Sequence, residues 1–366
     1  MSGGSSASPR ARLLVLAPRD GEEAVSLATP VLGTPIARRI ALAAFRAGFE
    51  AVFEQPAGGA GLAPLLEGTG ARVIPRSSDP GAAEASSART VVLQPGILPQ
   101  SRWLESLVGA DTAAAHPEAS GSFAIRSAED VPRAERWLLS SLVKDDEGFM
   151  SRHVERRISL AISRRLAATS VTPNAITVVS VLVGLAGAAC FVSPRPAIQF
   201  SGALLFLLHS ILDGCDGELA RLKFQESRFG GVLDFWGDNV VHAAVFACIA
   251  AGWSRSGAAV SPWPLAAGLA AVAGTLLSAV FVYRFAMGGR ERTSPQFTTV
   301  TRAPATRLSR LADALARRDF IYLVVILSAF GKAHWFLVMA AVGAPAFFLA
   351  LVAIDLSSRR LGRSYS

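Results

Sequence analysis

Asp213-Gly-Cys-Asp216-Gly217-Glu-Leu-Ala220-Arg221, followed eight residues later by Gly230-Gly-Val-Leu-Asp234-Phe-Trp-Gly-Asp238, decides how this chain is read. The stretch lies between long apolar runs, so both halves are expected to be helical. Asp213 and Asp216 then stand at i,i+3 on one helix, and Asp234 and Asp238 at i,i+4 on the next, each pair on one helix face. A short turn at Lys223–Phe229 makes the two helices antiparallel neighbours, and the four carboxylates can converge at the edge of a membrane. A lone intramembrane aspartate is explained by a local hydrogen bond or a cap. Four of them would be costly to bury and would repel one another. A pair of divalent cations removes both problems, and hard oxygen ligands in this arrangement suit Mg²⁺ or Mn²⁺ bridging the phosphates of a nucleotide. Gly214, Gly217, Ala220 and Gly230 keep the helix surfaces bare for a diphosphate, and Arg221 adds a fixed cation.

The surrounding composition fits a membrane. Of 366 residues, 51% are hydrophobic and 17% charged, and the mean hydropathy is +0.39. Six apolar segments follow residue 172: Asn174–Val192, Ala197–Leu212, Val232–Trp253, Leu265–Met287, Phe320–Phe330 and Trp335–Leu356. Most approach the roughly 20 residues needed to cross a bilayer; the fifth is short and relies on Arg317 and Arg318 snorkelling. Pro173 suits a helix start. Arginines crowd 150–170, 221–228, 284–318 and 359–363, whereas the alternate turns hold only Arg195, Arg255 and Lys332. The positive-inside rule therefore puts both termini and the aspartates on the cytosolic side of an inner or plasma membrane, in a multi-pass protein. The polar start of the chain is not a cleavable leader.

Charge divides the chain at a similar place. Residues 1–150 carry 14 Lys and Arg against 17 Asp and Glu, and the remainder 22 against 11. A basic, apolar half suits anionic head groups or anionic substrates. Nucleic acid is disfavoured as a partner, because the arginines flank hydrophobic spans and form no soluble basic face. Cys190, Cys215 and Cys248 make no CxxC pair, which argues against a disulfide framework and a zinc site.

Residues 1–142 read as an α/β domain. Arg12–Ala17, Ala51–Glu54, Ala71–Pro75 and Thr90–Leu93 are short apolar strands, Pro35–Phe49 is helix-like, and the alternation favours a mainly parallel sheet. Residues 143–171 form a linker whose later part interleaves Ile158, Leu160, Ile162 and Leu166 with Arg156, Arg157, Arg164 and Arg165, as in a helix lying on the membrane surface. Residues 172–366 form an all-α, six-helix transmembrane domain.

The arrangement DxxDGxxAR–x8–GxxxDxxxD resembles the motif of the CDP-alcohol phosphotransferase (CDP-alcohol phosphatidyltransferase) family at every defining position, over about Gly148 to the end of the chain. The resemblance implies that an acceptor alcohol attacks the β-phosphorus of a CDP-alcohol donor and releases CMP. It also implies that Asp213, Asp216 and Asp234 ligate metal, and that Asp238 ligates a second metal or acts as general base. Gly217, Ala220, Arg221 and Gly230 would line the nucleotide, Arg284 is a candidate for an acceptor phosphate, and a homodimer is implied. DEGFMSRHVERRIS, TPNAIT and ARRDF look like the membrane half of bifunctional inositol-phosphate cytidylyltransferase/di-inositol-phosphate synthases, which points to inositol phosphate or another polyol phosphate as acceptor. A phospholipid synthase using CDP-diacylglycerol is the alternative.

The N-terminal domain departs from an active nucleotidyltransferase. Its first strand runs into Pro18-Arg-Asp-Gly-Glu-Glu, only Pro30-Val-Leu-Gly-Thr-Pro35 resembles a phosphate loop, and Gln94-Pro-Gly96 stands where a metal-binding Asp belongs. It reads as a degenerate nucleotidyltransferase-like fold without catalysis. An ion transporter built on the four carboxylates would need polar residues continuing across the bilayer, and the spans are almost purely apolar beyond the motif. His209 and His242 lie near the motif and read as packing or local hydrogen-bonding residues.

Overall fold

The computed structural model describes residues 11–16, 25–55, 61–75, 90–108, 121–143, 154–256, 262–286 and 320–363. These fall into two compact units, divided after Leu142, with Ala167–Thr169 grouped with the first.

The first unit is α/β. Its four-stranded sheet runs β5 (Arg72–Pro75), β4 (Glu50–Gln55), β1 (Arg12–Leu16), β6 (Thr90–Leu93), and all three pairings are parallel. β1 pairs on both edges, Leu13 with Ala51 and Val91, and its Leu13, Leu14 and Val15 are almost wholly buried. A continuous apolar run is what a central parallel strand covered on both faces requires, and each such side chain contributes about 1.5–3 kcal/mol. Helix α1 (Ile36–Arg46) is the crossover between β1 and β4, ending three residues before the expected Phe49.

Two small antiparallel pairs were not expected from the sequence: β2 (Pro30–Val31) with β3 (Thr34–Pro35), and β7 (Ile97–Pro99) with β8 (Ser122–Ala124). The first lies in the stretch 30–35 that resembles a phosphate loop in sequence. Leu32 (φ 49°) and Gly33 (φ 73°) both take positive φ, which makes this stretch a two-residue hairpin turn. Its groups are held within the unit: Arg39 Nη2 donates to Val31 O at 3.0 Å, and Leu32 N to Glu135 Oε1 at 3.2 Å. Burial draws the Arg39 guanidinium down to about 10, against the opposing charge of Glu135. The loop Pro18–Glu23 lies outside the described residues. Helices α2 (Ala63–Leu66), α3 (Ser101–Val108) and α4 (Val131–Ser140) complete the unit.

The second unit is helical: α5 (Arg156–Ala167), α6 (Pro173–Cys190), α7 (Pro196–Lys223), α8 (Arg228–Arg255), α9 (Trp263–Ala286), α10 (Phe320–Ala329) and α11 (Ala333–Arg363). Five of these, α6 to α9 and α11, are long and apolar enough to cross a membrane, and the chain is read as an integral membrane protein. In the fifth expected span, Phe320–Phe330, the helix is the ten-residue α10; Arg317 and Arg318 lie outside the described residues. α7 runs eleven residues beyond the expected Leu212, so the first two aspartates sit within a continuous helix.

Caps set the helix ends. Thr172 accepts from Ala175 N ahead of Pro173, and Ser227 from Gly230 N at the start of α8. Phe224 in the left-handed region closes α7, leaving a turn of Phe224–Ser227. Lys223 Nζ donates to Val171 O at 2.7 Å. The C-terminus of α7 and the N-terminus of α6 are therefore level with each other.

Where α6 crosses α7 the backbones touch. A Cβ on Gly187 would lie 2.8 Å from Gly202 O, and one on Gly202 2.6 Å from Gly187 O. Close approach of small residues is how helices pack in lipid, which offers no hydrophobic drive between them. Phe191, Phe206, Val241, Val245, Ile249 and Leu337 fill the core beside this crossing.

Candidate active site

The ligand oxygens of Asp213 and Asp216 on α7 and of Asp234 on α8 all lie within 4.8 Å of one another. Asp213 and Asp216 are buried. Thr177 of α6 donates to Asp216 Oδ2. Asp234 Oδ1 is buried with no hydrogen-bond partner among the described residues. Carboxylates this close repel unless a cation lies between them, and an orphaned buried oxygen costs several kcal/mol by order of magnitude. A set of oxygen donors only is that of a hard dication. The residues present thus fit a divalent metal ion.

Asp238 stands apart from that trio, one turn further along α8. Its Oδ1 is 3.5 Å from Nε2 of His209, and with Asp213 it lines a small cavity completed by His209, Ser210, His242 and Ile321. His209 Nδ1 lies 2.9 Å from Ser180 O. A carbonyl only accepts, so Nδ1 carries the proton and Nε2 is turned toward Asp238. The local hydrogen bond expected of His209 is present, and it also orients the ring toward the fourth aspartate.

The glycines differ in what they face. A Cβ on Gly217 would lie 3.4 Å from Arg221 Nη1, so that guanidinium folds back over the bare position. At Gly214 the nearest atom is Arg156 Nη1, at 3.6 Å. At Gly230 the space is filled: a Cβ would lie 2.8 Å from Asn174 Oδ1 and 3.1 Å from Ser227 Oγ. Ala220 is partly buried on α7, and Arg284 is exposed in the last turn of α9.

Sequence reasoning missed Glu218. Its side chain is fully buried and accepts from Arg156 Nη1 at 2.6 Å, Ser159 Oγ at 2.7 Å and Ser163 Oγ at 2.7 Å. α5 thus docks on α7 by a polar stripe at four-residue spacing, while Ile158 is exposed. The available signal was Ser159 and Ser163, one turn apart and on the same side of the helix as Ile162 and Leu166, away from the exposed Arg157, Arg164 and Arg165.

A family model described as CDP-alcohol phosphatidyltransferase matches residues 170–353, half of the chain. The chain belongs to the CDP-alcohol phosphatidyltransferase family. Among curated proteins it is 41% identical over 123 residues to a bifunctional IPC transferase and DIPP synthase of Thermococcus kodakarensis, covering 33% of this chain and 27% of that one. It is 34% identical over 98 residues to a phosphatidylinositol phosphate synthase of Mycobacterium tuberculosis, covering 27% of this chain and 44% of the relative. The match thus spans less than half of either relative's length. Among solved structures, a phosphatidylinositol phosphate synthase of Mycobacterium tuberculosis with CDP-DAG bound matches 54% of this chain and 92% of its own, at 20% identity and a TM-score of 0.39.

Proposed function

We propose that this phosphatidyltransferase-family protein moves a substituted phosphate from a CDP-alcohol to the hydroxyl of an acceptor alcohol, releasing CMP. The observation that carries the reading is the convergence of Asp213, Asp216 and Asp234, with a buried carboxylate oxygen left for a ligand. Asp213, Asp216 and Asp234 would hold Mg²⁺ or Mn²⁺, with Asp238 contributing to a second metal or serving as base. Such ions neutralise and polarise a diphosphate. Gly217, Ala220, Arg221 and Gly230 line the nucleotide, and Arg284 is assigned to an acceptor phosphate. The acceptor oxygen bonds to the donor's β-phosphorus, the bridging P–O bond breaks, CMP leaves with that oxygen, and Asp238 takes the hydroxyl proton.

Likeness to the DIPP synthase supports inositol phosphate or another polyol phosphate as acceptor. Likeness to the phosphatidylinositol phosphate synthase supports the second reading, CDP-diacylglycerol as donor. We further assign residues 1–142 to an inactive nucleotidyltransferase-like domain, 143–171 to an interfacial linker and 172–366 to a six-helix membrane domain with α10 as a span. The protein is assigned as a homodimer in contact with membrane lipid, with site and termini cytosolic.

Purified full-length protein, incubated with Mg²⁺, labelled CDP-inositol or CDP-diacylglycerol and a panel of alcohols, should release CMP, and mass spectrometry of the product names the acceptor. Asp238→Asn should lower turnover by about 10²–10⁴-fold with the melting temperature kept. No CMP from any donor would overturn the reading.

A further inference from the structure

Around α7, successive residues turn by about 100°. Gly217 therefore lies between the arc of Asp213 and Asp216 on one side and Gly214 and Arg221 on the other, with Glu218 beyond them. Two guanidinium groups cover this bare stripe, Arg221 over Gly217 and Arg156 over Gly214. They come from different helices and lie near enough to repel each other, with Glu218, Glu226 and Asp216 acting in the opposite sense. Arg156 is pinned by its 2.6 Å ion pair with Glu218, and its side chain keeps 18% of its surface exposed while Glu218 keeps none. Ser159 and Ser163 hold the other bonds of Glu218, so the carboxylate has no freedom to turn away. Two cations over neighbouring glycines at the rim of a carboxylate cluster, one of them pinned, define a place for a multiply charged anion.

We propose that Arg156, held by Glu218, is a second guanidinium for the phosphates of the nucleotide donor, acting beside Arg221 over the Gly214–Gly217 stripe. The inference rests on the transferase reading and extends it to α5, a helix outside the motif. A guanidinium suits this task better than an ammonium, because its planar fork matches phosphate oxygens.

The test uses the full chain in lipid nanodiscs, with CDP and Mg²⁺ as probe. The double variant Arg156→Met/Glu218→Met removes the ion pair without stranding either charge, an exchange that buried pairs tolerate. It should melt like the wild type and bind CDP ten- to a hundredfold more weakly. Wild-type CDP affinity in the double variant would overturn the proposal, since Arg156 would then serve only Glu218. Should that variant lose its melting transition, Arg156→Lys decides: several-fold weaker CDP binding is expected, and an unchanged dissociation constant overturns the proposal. Failure of the wild type to bind CDP or to release CMP would instead bring down the transferase reading, and this inference with it.

Discussion

Two faces of α7 bury acids, and they deal with the charge in opposite ways. On the α5 side, Glu218 is answered within the fold by one guanidinium and two hydroxyls. On the α8 side, three carboxylates gather within 4.8 Å. Asp216 receives Thr177, and Asp234 Oδ1 receives nothing from the described residues. Burying a charge costs several kcal/mol in either place, as an order of magnitude. The first face meets that cost when the chain folds, and the second leaves it to a ligand. Identical chemistry, an acid in a helix, is thus structural or functional according to what its neighbours supply.

Asp234→Asn should break the comparison hardest. It removes a metal ligand and with it several kcal/mol of transition-state stabilisation, so CMP release should fall by about 10³-fold or more. The metal-free variant should melt higher than metal-free wild type, because one repelling charge is gone. Saturating Mg²⁺ at about 100 times its dissociation constant stabilises a binding protein by about 2.7 kcal/mol, and the variant should lose that gain. Thermal melts with and without Mg²⁺ read both effects. A variant still stabilised by Mg²⁺ as the wild type is would show that the acids on the α8 side do not wait for a cation.

The Glu218 face should respond in stability. Glu218→Leu strands the Arg156 guanidinium and should cost about 3–5 kcal/mol. Adding Arg156→Met should recover most of that loss. Unfolding in detergent by heat or denaturant gives both values, and an equal loss in single and double variants would show that the pair is not a closed unit.

The carboxylate face was legible because its signal is compositional: acids at helical spacing stand out inside apolar runs, where a charge is costly unless something answers it. Spacing alone placed Asp213 beside Asp216, and the short turn brought Asp234 to them. It could not show that Asp238 would face His209, since the rotation of α8 against α7 is set by packing on other turns, such as the edge-on contact of Phe206 with His242. Glu218 was hidden for the reverse reason. Its partners lie 55 to 62 residues away, and Ser159 and Ser163 look like surface residues among four arginines. In the first unit, the apolar runs announced the parallel sheet. The hairpin at Leu32–Gly33 escaped because positive φ at a leucine is uncommon, and nothing local announces it.

A third acid, Asp130 in the first unit, extends the comparison into solvent and should give the smallest effect. Its Oδ2 accepts from Arg126 N at 3.0 Å and Ser127 N at 3.2 Å, in a capping box before α4. Those backbone N–H groups, that of Arg126 first, hold its carboxyl below the ordinary value of 3.8, with lesser help from the charges of Arg133 and Arg126. The ionised form is thus favoured by folding. Its contribution is whole above the unfolded value and is lost as pH falls through the lower, folded one. Asp130→Asn should therefore reduce amide protection at the start of α4, by an amount that is steady from neutral pH down to about 5 and shrinks as pH falls below the ordinary value of 3.8. Hydrogen exchange of the full chain, corrected for intrinsic rates, measures it. A gap that persists after the folded carboxyl has itself been protonated would mean that geometry, and not charge, holds this cap. It would also set Asp130 apart from the acids of α7, where charge is the whole of the argument.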